Sequence, residues 1–248
     1  MMKYTTNHYT KSYHINRFGN LSTSFLFYNI QEIAGEHAIK LGFGYEELVE
    51  NQLFWVLSRI KVKIIKRPRW REKFNVTTIA RGTDGFMGYR DFYFTDDNGK
   101  TIVEGTSSWL AINLQTKRIQ RLTNLKNFPD YEEGVFGINA PKVNSPKSDS
   151  VLNFSPVLFN EIDINQHFNS GRYIERILDS FDFSFHEKHE LVEFEINFAK
   201  EGMPGDNLGI KKEQKDNSTF LCSVVREKDG AELIKAKLVW KVREVIKG

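Results

Sequence analysis

Apolar side chains recur along the first half of the chain with two different periods. After a polar start at residues 22–24, helical spacing runs from Phe25 to Leu41 and stops at Gly42. His37 lies on the apolar face of this helix, where we expect a hydrogen-bonded core histidine. Strands are then predicted at residues 55–65, 73–80, 88–95 and 101–113. The last two should form a hairpin about a turn at residues 97–99.

The second half repeats this order of elements. A helix is predicted at residues 170–181, followed by strands at 191–198, 207–213, 219–227 and 232–243. Three landmark pairs keep the same or nearly the same spacing along the chain: Gly99 with Gly230, Trp109 with Trp240, and Pro68 with Pro204. Matching landmarks at one spacing indicate an internal repeat.

The stretch between the halves separates two predicted units. Residues 126–150 carry three of the six prolines and little periodicity, which is typical of a linker. The first unit is therefore predicted over residues 1–125 and the second over residues 151–248. Each unit combines one helix with several long antiparallel strands, so the predicted fold class is α+β, with a curved sheet wrapped about its helix.

Composition narrows the function classes. The single cysteine, Cys222, alternates with apolar residues and is expected to be a small core side chain. The sequence has no zinc-type ligand spacing, no glycine-rich phosphate loop and no dinucleotide fingerprint, so neither a metal nor a cofactor is expected. No apolar run reaches the roughly 18–20 residues of a membrane span, and residues 1–16 lack the apolar segment of a secretory signal. We expect a cytoplasmic protein with no membrane partner.

Positive charge is concentrated in one stretch. Net charge is only +3, too small to argue for a nucleic-acid partner, yet residues 59–73 hold eight basic residues against one acid. The alternation over residues 59–63 favours a solvated strand edge, and the functional alternative is a docking patch for an acidic partner. The docking candidates are Lys61, Lys63, Arg67, Arg69 and Arg71.

Asp163, Asn165 and His167 have the spacing i, i+2 and i+4. In an extended backbone this spacing directs all three side chains to one face. The helix that follows, with Asn169 or Ser170 as N-cap, should offer unpaired N–H groups. A carboxylate, an amide and an imidazole beside such a helix start are the parts of an acyl-transfer site. The alternative is a capped helix whose turn residues only satisfy the backbone.

Together these segments resemble the acyl-[acyl-carrier-protein] thioesterase family, the tandem hot-dog enzymes of plants and bacteria. In the first unit the resemblance rests on IQEIAGEHA (30–38), WVLSRIKVKIIKRPRW (55–70) and GYRDFYFTDDNGKTIVEGTSSWLAINLQTKRIQRL (88–122). In the second it rests on DINQHFNSGRYIERIL (163–178), similar to the family's D-x-N-x-H-V-N-N-x-K-Y-I. It also rests on INFAKEG (196–202), where the family has L-E-Y-R-R-E-C.

The resemblance implies a double hot-dog fold and a hydrolase that cleaves fatty acyl-[acyl-carrier-protein] thioesters, with the carrier protein as partner. The implied catalytic residues are Asp163, Asn165, His167 and Glu201, and the candidate substrate-binding residues are Asn169, Phe25, Phe27 and Trp109. Gly202 stands where many relatives carry Cys, so a Cys–His nucleophile pair is not expected there.

Several alternatives stay open at this point. A hot-dog acyl-CoA thioesterase and a non-catalytic acyl-binding protein would share the fold, and a dehydratase is disfavoured by the order of the site residues. The sequence does not fix whether Asp163 or Glu201 acts as base or nucleophile, which acyl chain is preferred, or whether the chain forms a homodimer.

Overall fold

A computed structural model of the 248-residue chain describes residues 2–125, 128, 132–134, 136–148 and 150–243. The chain divides into two compact units, Met1–Pro141 and Lys142–Gly248. This boundary falls within residues 126–150, the stretch predicted to be a linker. Seven positions of that stretch, namely 126, 127, 129–131, 135 and 149, lie outside the described residues.

The first unit is an antiparallel sheet with a long helix. Its elements are β1 (Met2–Tyr9), α1 (Thr23–Lys40), α2 (Tyr45–Glu50), β2 (Leu53–Ile64), β3 (Lys73–Thr83), β4 (Met87–Thr95), β5 (Thr101–Asn113) and the short β6 (Ile119–Gln120). Within this unit the strand order is β1-β3-β4-β5-β2, and β6 pairs with β5.

Helix α1 forms because its ends are defined and one face is apolar. The Ser22 hydroxyl accepts a hydrogen bond from the Phe25 N–H and caps the helix start. Leu26, Phe27 and Ile30 are at most 1% exposed, so the apolar stripe is buried. The helix lies against β3 and β1. Among the described residues, no helix is long and apolar enough to cross a membrane.

The second unit has the same order of elements and the same strand order. It contains β7 (Val151–Pro156), α3 (Ser170–Asp179), α4 (Phe183–Lys188), β8 (His189–Phe198), β9 (Asn207–Gln214), β10 (Thr219–Arg226) and β11 (Glu232–Val242). Its strands follow the order β7-β9-β10-β11-β8. The predicted α+β class and the internal repeat are confirmed. Five elements were not predicted from the sequence, namely β1, β6, β7, α2 and α4, and the predicted second helix ends two residues beyond the end of α3.

One of the three landmark pairs proves wrong. In each unit two consecutive N–H groups bond to one carbonyl: Ile65 and Lys66 to Ile102 in the first unit, Ala199 and Lys200 to Leu233 in the second. This shared bulge fixes the alignment of the two units. The bulge places Gly202, and not Pro204, at the position of Pro68.

A buried polar network lies under α1 in the first unit. The Arg90 guanidinium donates hydrogen bonds to His37 Nδ1 (2.9 Å) and to the Thr78 hydroxyl (3.0 Å). His37 is 3% exposed and Arg90 6% exposed. Since an arginine can only donate, His37 Nδ1 accepts and carries no proton. The prediction of a satisfied core histidine is confirmed.

His37 should make the stability of the protein depend on pH. Burial, followed by the charges of Arg90 and Lys40, lowers the pKa of His37 from 6.5 to about 4. Between these values the unfolded chain binds a proton at His37 that the folded protein does not. The free energy of unfolding should therefore fall with decreasing pH in this window, by at most about 1.4 kcal/mol per pH unit.

His37→Gln tests this dependence, because the glutamine amide oxygen can still accept from Arg90. The free energy of unfolding, measured with urea between about pH 4 and pH 7.5, should change less steeply with pH for the variant than for the parent protein. Every other titrating group is common to both proteins, so its contribution cancels in the difference. Equal slopes would contradict the assignment.

Candidate active site

The Asp163–His167 segment is a tight loop and not an extended strand. Asp163 Oδ1 accepts hydrogen bonds from the N–H groups of Asn165 (2.8 Å) and His167 (3.2 Å). Gln166 has a φ of 63°, and the Asp163 N–H donates to the His167 carbonyl at 2.8 Å. The expectation that period-2 spacing directs three side chains to one face is therefore wrong. An aspartate that bonds to its own following N–H groups favours a turn instead.

The first unit contains the same loop with different side chains. Asn16 Oδ1 accepts from the N–H groups of Phe18 (3.0 Å) and Asn20 (3.3 Å), and Gly19 takes the positive φ of 72°. This counterpart was not predicted, because its residue types differ from the Asp, Asn and His of the second unit. Since a neutral Asn16 holds the loop, the geometry at Asp163 requires a side-chain oxygen but not a negative charge.

His167 and Glu201 are brought together by two loops of the second unit. His167 Nε2 lies 3.3 Å from Glu201 Oε2, and the side chains are 20% and 41% exposed. The Phe168 N–H donates to the Gly202 carbonyl at 2.8 Å, which joins the two loops directly beside this pair. The pair is thus an imidazole and a carboxylate that solvent can reach, on a backbone that is fixed by hydrogen bonds.

The start of α3 is capped by its own sequence. Asn169 Oδ1 accepts from the Gly171 N–H at 2.8 Å, so Asn169 is the N-cap and that N–H already has a partner. The expectation of Asn169 as N-cap is confirmed, and its substrate-binding role stays a prediction. The side chain of Asn165 is exposed.

The three candidate acyl-contacting residues of the first unit differ in environment. Phe27 is completely buried in α1. Phe25 is half-buried and packs against the rings of His14 and Tyr28. Trp109 is half-buried on β5 and donates its indole N–H to the Ser107 hydroxyl at 2.9 Å. Phe25 and Trp109 keep part of their surface accessible, whereas Phe27 belongs to the core.

The prediction of Arg67 as a docking residue is wrong. Arg67 is only 6% exposed and donates to the Leu21 carbonyl (3.0 Å) and the Thr23 hydroxyl (3.2 Å). It is a structural residue and is not available to a docking protein. Lys63, Arg69 and Arg71 are exposed and Lys61 is half-buried.

The loop that carries Glu201 is held by a charged cluster that the sequence analysis missed. Arg226 Nη1 lies 3.4 Å from both the Glu201 carbonyl and Asp206 Oδ2, and Lys228 Nζ lies 2.6 Å from Asp206 Oδ1. Asp206 is 1% exposed, and the net effect of its surroundings is to lower its pKa. Burial alone would raise that pKa, but the hydrogen bonds from Lys228 and the Met203 N–H outweigh it. In the sequence, the only sign of this cluster is an aspartate two residues after a proline, which is a common turn pattern and not specific.

The hydrogen bonds of this loop predict how substitutions of Asp163 change the stability of the protein. Asp163→Asn should fold with unchanged stability, because Asn16 shows that an amide oxygen holds this loop. Asp163→Ala removes the acceptor of two N–H groups and should lower the free energy of unfolding by about 1–2 kcal/mol. Denaturant unfolding measures both, and Asn16→Ala is the matched variant of the first unit. Equal stability of the Asn and Ala variants would rule out this role of Asp163.

Two family models match most of the chain. Residues 1–125 match the model of the acyl-ACP thioesterase N-terminal domain and residues 144–242 that of the C-terminal domain. The chloroplastic palmitoyl-acyl carrier protein thioesterase of Gossypium hirsutum is 25% identical over 96% of this chain and 63% of its own length. The chloroplastic oleoyl-acyl carrier protein thioesterase 2 of Arabidopsis thaliana is 26% identical over 71% of this chain and 53% of its own. The chain thus spans less than two thirds of these relatives.

A solved structure agrees with these matches. The crystal structure of an acyl-ACP thioesterase from Bacteroides thetaiotaomicron superposes with a TM-score of 0.88 and 27% identity, covering 96% of this chain and 98% of that one. The two family models together cover most of the sequence, and the fold agrees with the neighbour. The chain belongs to the acyl-ACP thioesterase family.

Proposed function

We propose that this protein hydrolyses the thioester of a fatty acyl chain carried on acyl carrier protein, releasing the fatty acid and the holo carrier. The observation that carries the proposal is the contact of His167 with Glu201, 3.3 Å long and open to solvent, in a member of this family. The named relatives act on palmitoyl and oleoyl carrier thioesters. A protein that only binds acyl chains has no use for such a pair.

In the proposed mechanism, water attacks the thioester carbonyl. Glu201 Oε2 lies 3.3 Å from His167 Nε2, and in this scheme the carboxylate keeps the imidazole proton on Nε2. Nδ1 is then the unprotonated nitrogen that takes a proton from the water. The carbonyl carbon becomes tetrahedral and its oxygen negative. When the oxyanion collapses, the C–S bond breaks, and the imidazolium returns the proton to the departing sulfur.

The roles of the neighbouring residues follow from their positions in the loop. Asp163 holds the His167 N–H and keeps a carboxylate on the same loop as the imidazole, where it favours the imidazolium that forms. Asn165 presents an exposed amide on the same loop, and we assign it as a donor for the oxyanion. A thioester carbonyl is weakly stabilised by its sulfur, so this modest set is sufficient.

The substrate is tested with purified protein and acyl thioesters. Carrier-bound chains of several lengths should release free acids, and the same chains on coenzyme A should be cleaved more slowly. Preference for coenzyme A at matched chain length would instead assign an acyl-CoA thioesterase. Binding of acyl chains without release of acid would assign an acyl-binding protein.

His167 and Glu201 should be needed for turnover. We expect His167→Ala to lower kcat by about 100-fold or more, because both proton transfers pass through the imidazole. Glu201→Gln keeps the size of the side chain and removes its charge, and should lower kcat by about 10-fold or more. Both are measured with the carrier substrate under saturation. Near-normal turnover of His167→Ala would exclude the mechanism.

Cys222→Ser is the control for a thiol mechanism. Cys222 is completely buried and burial raises its pKa to about 12, so the thiolate is not available near neutral pH. The variant should keep full activity, and alkylating reagents should inhibit the parent protein poorly. Substrate-protected inactivation by such a reagent would contradict this.

The carrier is proposed to dock on basic residues of the first unit, namely the exposed Lys63, Arg69 and Arg71 and the half-buried Lys61. Carrier proteins are acidic, so opposite charge should speed their association. The double variant Arg69→Glu/Arg71→Glu should raise KM for the carrier substrate about 10-fold at low salt. The effect should shrink toward 1 M salt, where the Debye length is about 3 Å.

The matched control reverses the same number of charges elsewhere. Lys142 and Lys188 are exposed residues of the second unit, and Lys142→Glu/Lys188→Glu changes the net charge equally. It should leave KM within about twofold. If both double variants raise KM to the same degree, net charge and not a docking surface is responsible.

A further inference from the structure

The peptide units on either side of Gly202 are held by hydrogen bonds from three directions. The Gly202 N–H donates to the Tyr173 hydroxyl at 2.9 Å, and the Gly202 carbonyl accepts from the Phe168 N–H at 2.8 Å. The preceding carbonyl, that of Glu201, lies 3.4 Å from Arg226 Nη1. Because the Glu201 carbonyl and the Gly202 N–H belong to one rigid peptide plane, these bonds fix the backbone from which the Glu201 side chain projects.

The fit around Gly202 leaves no room for a side chain. A Cβ there would lie 2.9 Å from the Tyr173 oxygen and 3.0 Å from Phe168 Cβ, both closer than ordinary packing. The glycine therefore permits the approach of helix α3 to the Glu201 loop. Tyr173 is itself 3% exposed, and burial raises its pKa, so the hydroxyl stays neutral near physiological pH.

The first unit shows what the same scaffold does without this contact. The Leu21 N–H donates to the Pro68 carbonyl at 2.7 Å, as Phe168 does to Gly202. Leu26, the fourth residue of α1, stands where Tyr173 is the fourth residue of α3. Proline has no N–H to donate, and the leucine side chain has no oxygen to accept. The first unit therefore lacks both the donor and the acceptor of the Tyr173–Gly202 hydrogen bond.

The residue before Pro68 behaves differently from Glu201. Arg67 turns into the core and bonds to Leu21 and Thr23. Glu201 at the equivalent position instead points outward to His167. The unit with the Tyr173–Gly202 hydrogen bond therefore has an outward side chain at this position, Glu201. The unit with leucine and proline instead has an inward one.

We propose that Tyr173 is a positioning residue of the active site: its hydroxyl, through the Gly202 N–H, holds Glu201 against His167. The inference rests on the hydrolysis proposed above and adds a residue to its machinery. Tyr173 does not touch the substrate in this scheme. Its whole effect passes through the Glu201 carboxylate.

Tyr173→Phe removes only the hydroxyl and should lower kcat by about 3- to 10-fold, no more than Glu201→Gln does, with KM for the carrier substrate within about twofold. In a Glu201→Gln background, Tyr173→Phe should lower kcat almost no further, because the carboxylate that the Tyr173 hydroxyl positions is already lost. Multiplicative losses in the double variant would show that Tyr173 does not act through Glu201. Tyr4→Phe is the matched control, since it removes a hydroxyl that bonds to Glu36 in the first unit. It should leave kcat unchanged.

A structural measurement separates this inference from the proposed function. In a crystal structure of Tyr173→Phe, the distance from His167 Nε2 to Glu201 Oε2 should exceed about 4 Å, beyond contact for an ion pair. Gly202→Ala, which forces the same contact apart, should lengthen the distance too and serves if the first variant does not fold. An unchanged distance in the variant would overturn the positioning role even if the wild type proves inactive. Failure of the wild type to hydrolyse any thioester would overturn only the function.

Discussion

The hydrogen bond from the Phe168 N–H to the Gly202 carbonyl joins the two loops on which the candidate site depends. His167 precedes Phe168 and Glu201 precedes Gly202, so a single backbone contact brings their side chains to the same place. Backbone pairing is independent of side-chain identity, which is why the first unit repeats it between Leu21 and Pro68. The scaffold can therefore be kept while the side chains beside it change.

The two units illustrate how function is added to a common scaffold. In the first unit the positions equivalent to His167 and Glu201 are Asn20 and Arg67, and Arg67 is buried. An amide and an inward guanidinium provide no base and no acid near neutral pH. Only the second unit combines the loop with groups that can transfer a proton, although both loops have the same hydrogen bonds.

The sequence predicted the elements whose apolar pattern is continuous. Helix α1 and strand β5 were placed almost to the residue because their buried faces recur with the correct period. β7 was missed because five of its six residues are exposed, and an edge strand without a buried face has no alternation to detect. Arg67 was misplaced for a related reason. The alternation of residues 59–63 was extended past the bulge at Ile65 and Lys66, which reverses the side on which later residues lie.

The sequence names candidate site residues, but it does not show how they are arranged. Spacing alone cannot distinguish an extended segment from a loop in which Asp163 bonds to its own backbone, because both place the same residues at i, i+2 and i+4. The choice depends on the left-handed conformation of Gln166 and on the pairing with residue 202, which is distant in sequence. Long-range contacts of this kind leave no local pattern.

The environment of Gly202 also bears on the chemistry. A cysteine at this position would place its Cβ 2.9 Å from the Tyr173 oxygen and 3.0 Å from Phe168 Cβ, so a thiol there would displace the packing that holds Glu201. Cys222, the single cysteine of the chain, is buried with a raised pKa. With no thiolate to attack, the proposed reaction requires an oxygen nucleophile. Water must lose a proton as it attacks, so the reaction depends on a base that is held in position, here the His167–Glu201 pair. The hydrogen bond between Tyr173 and Gly202 holds Glu201 in that position.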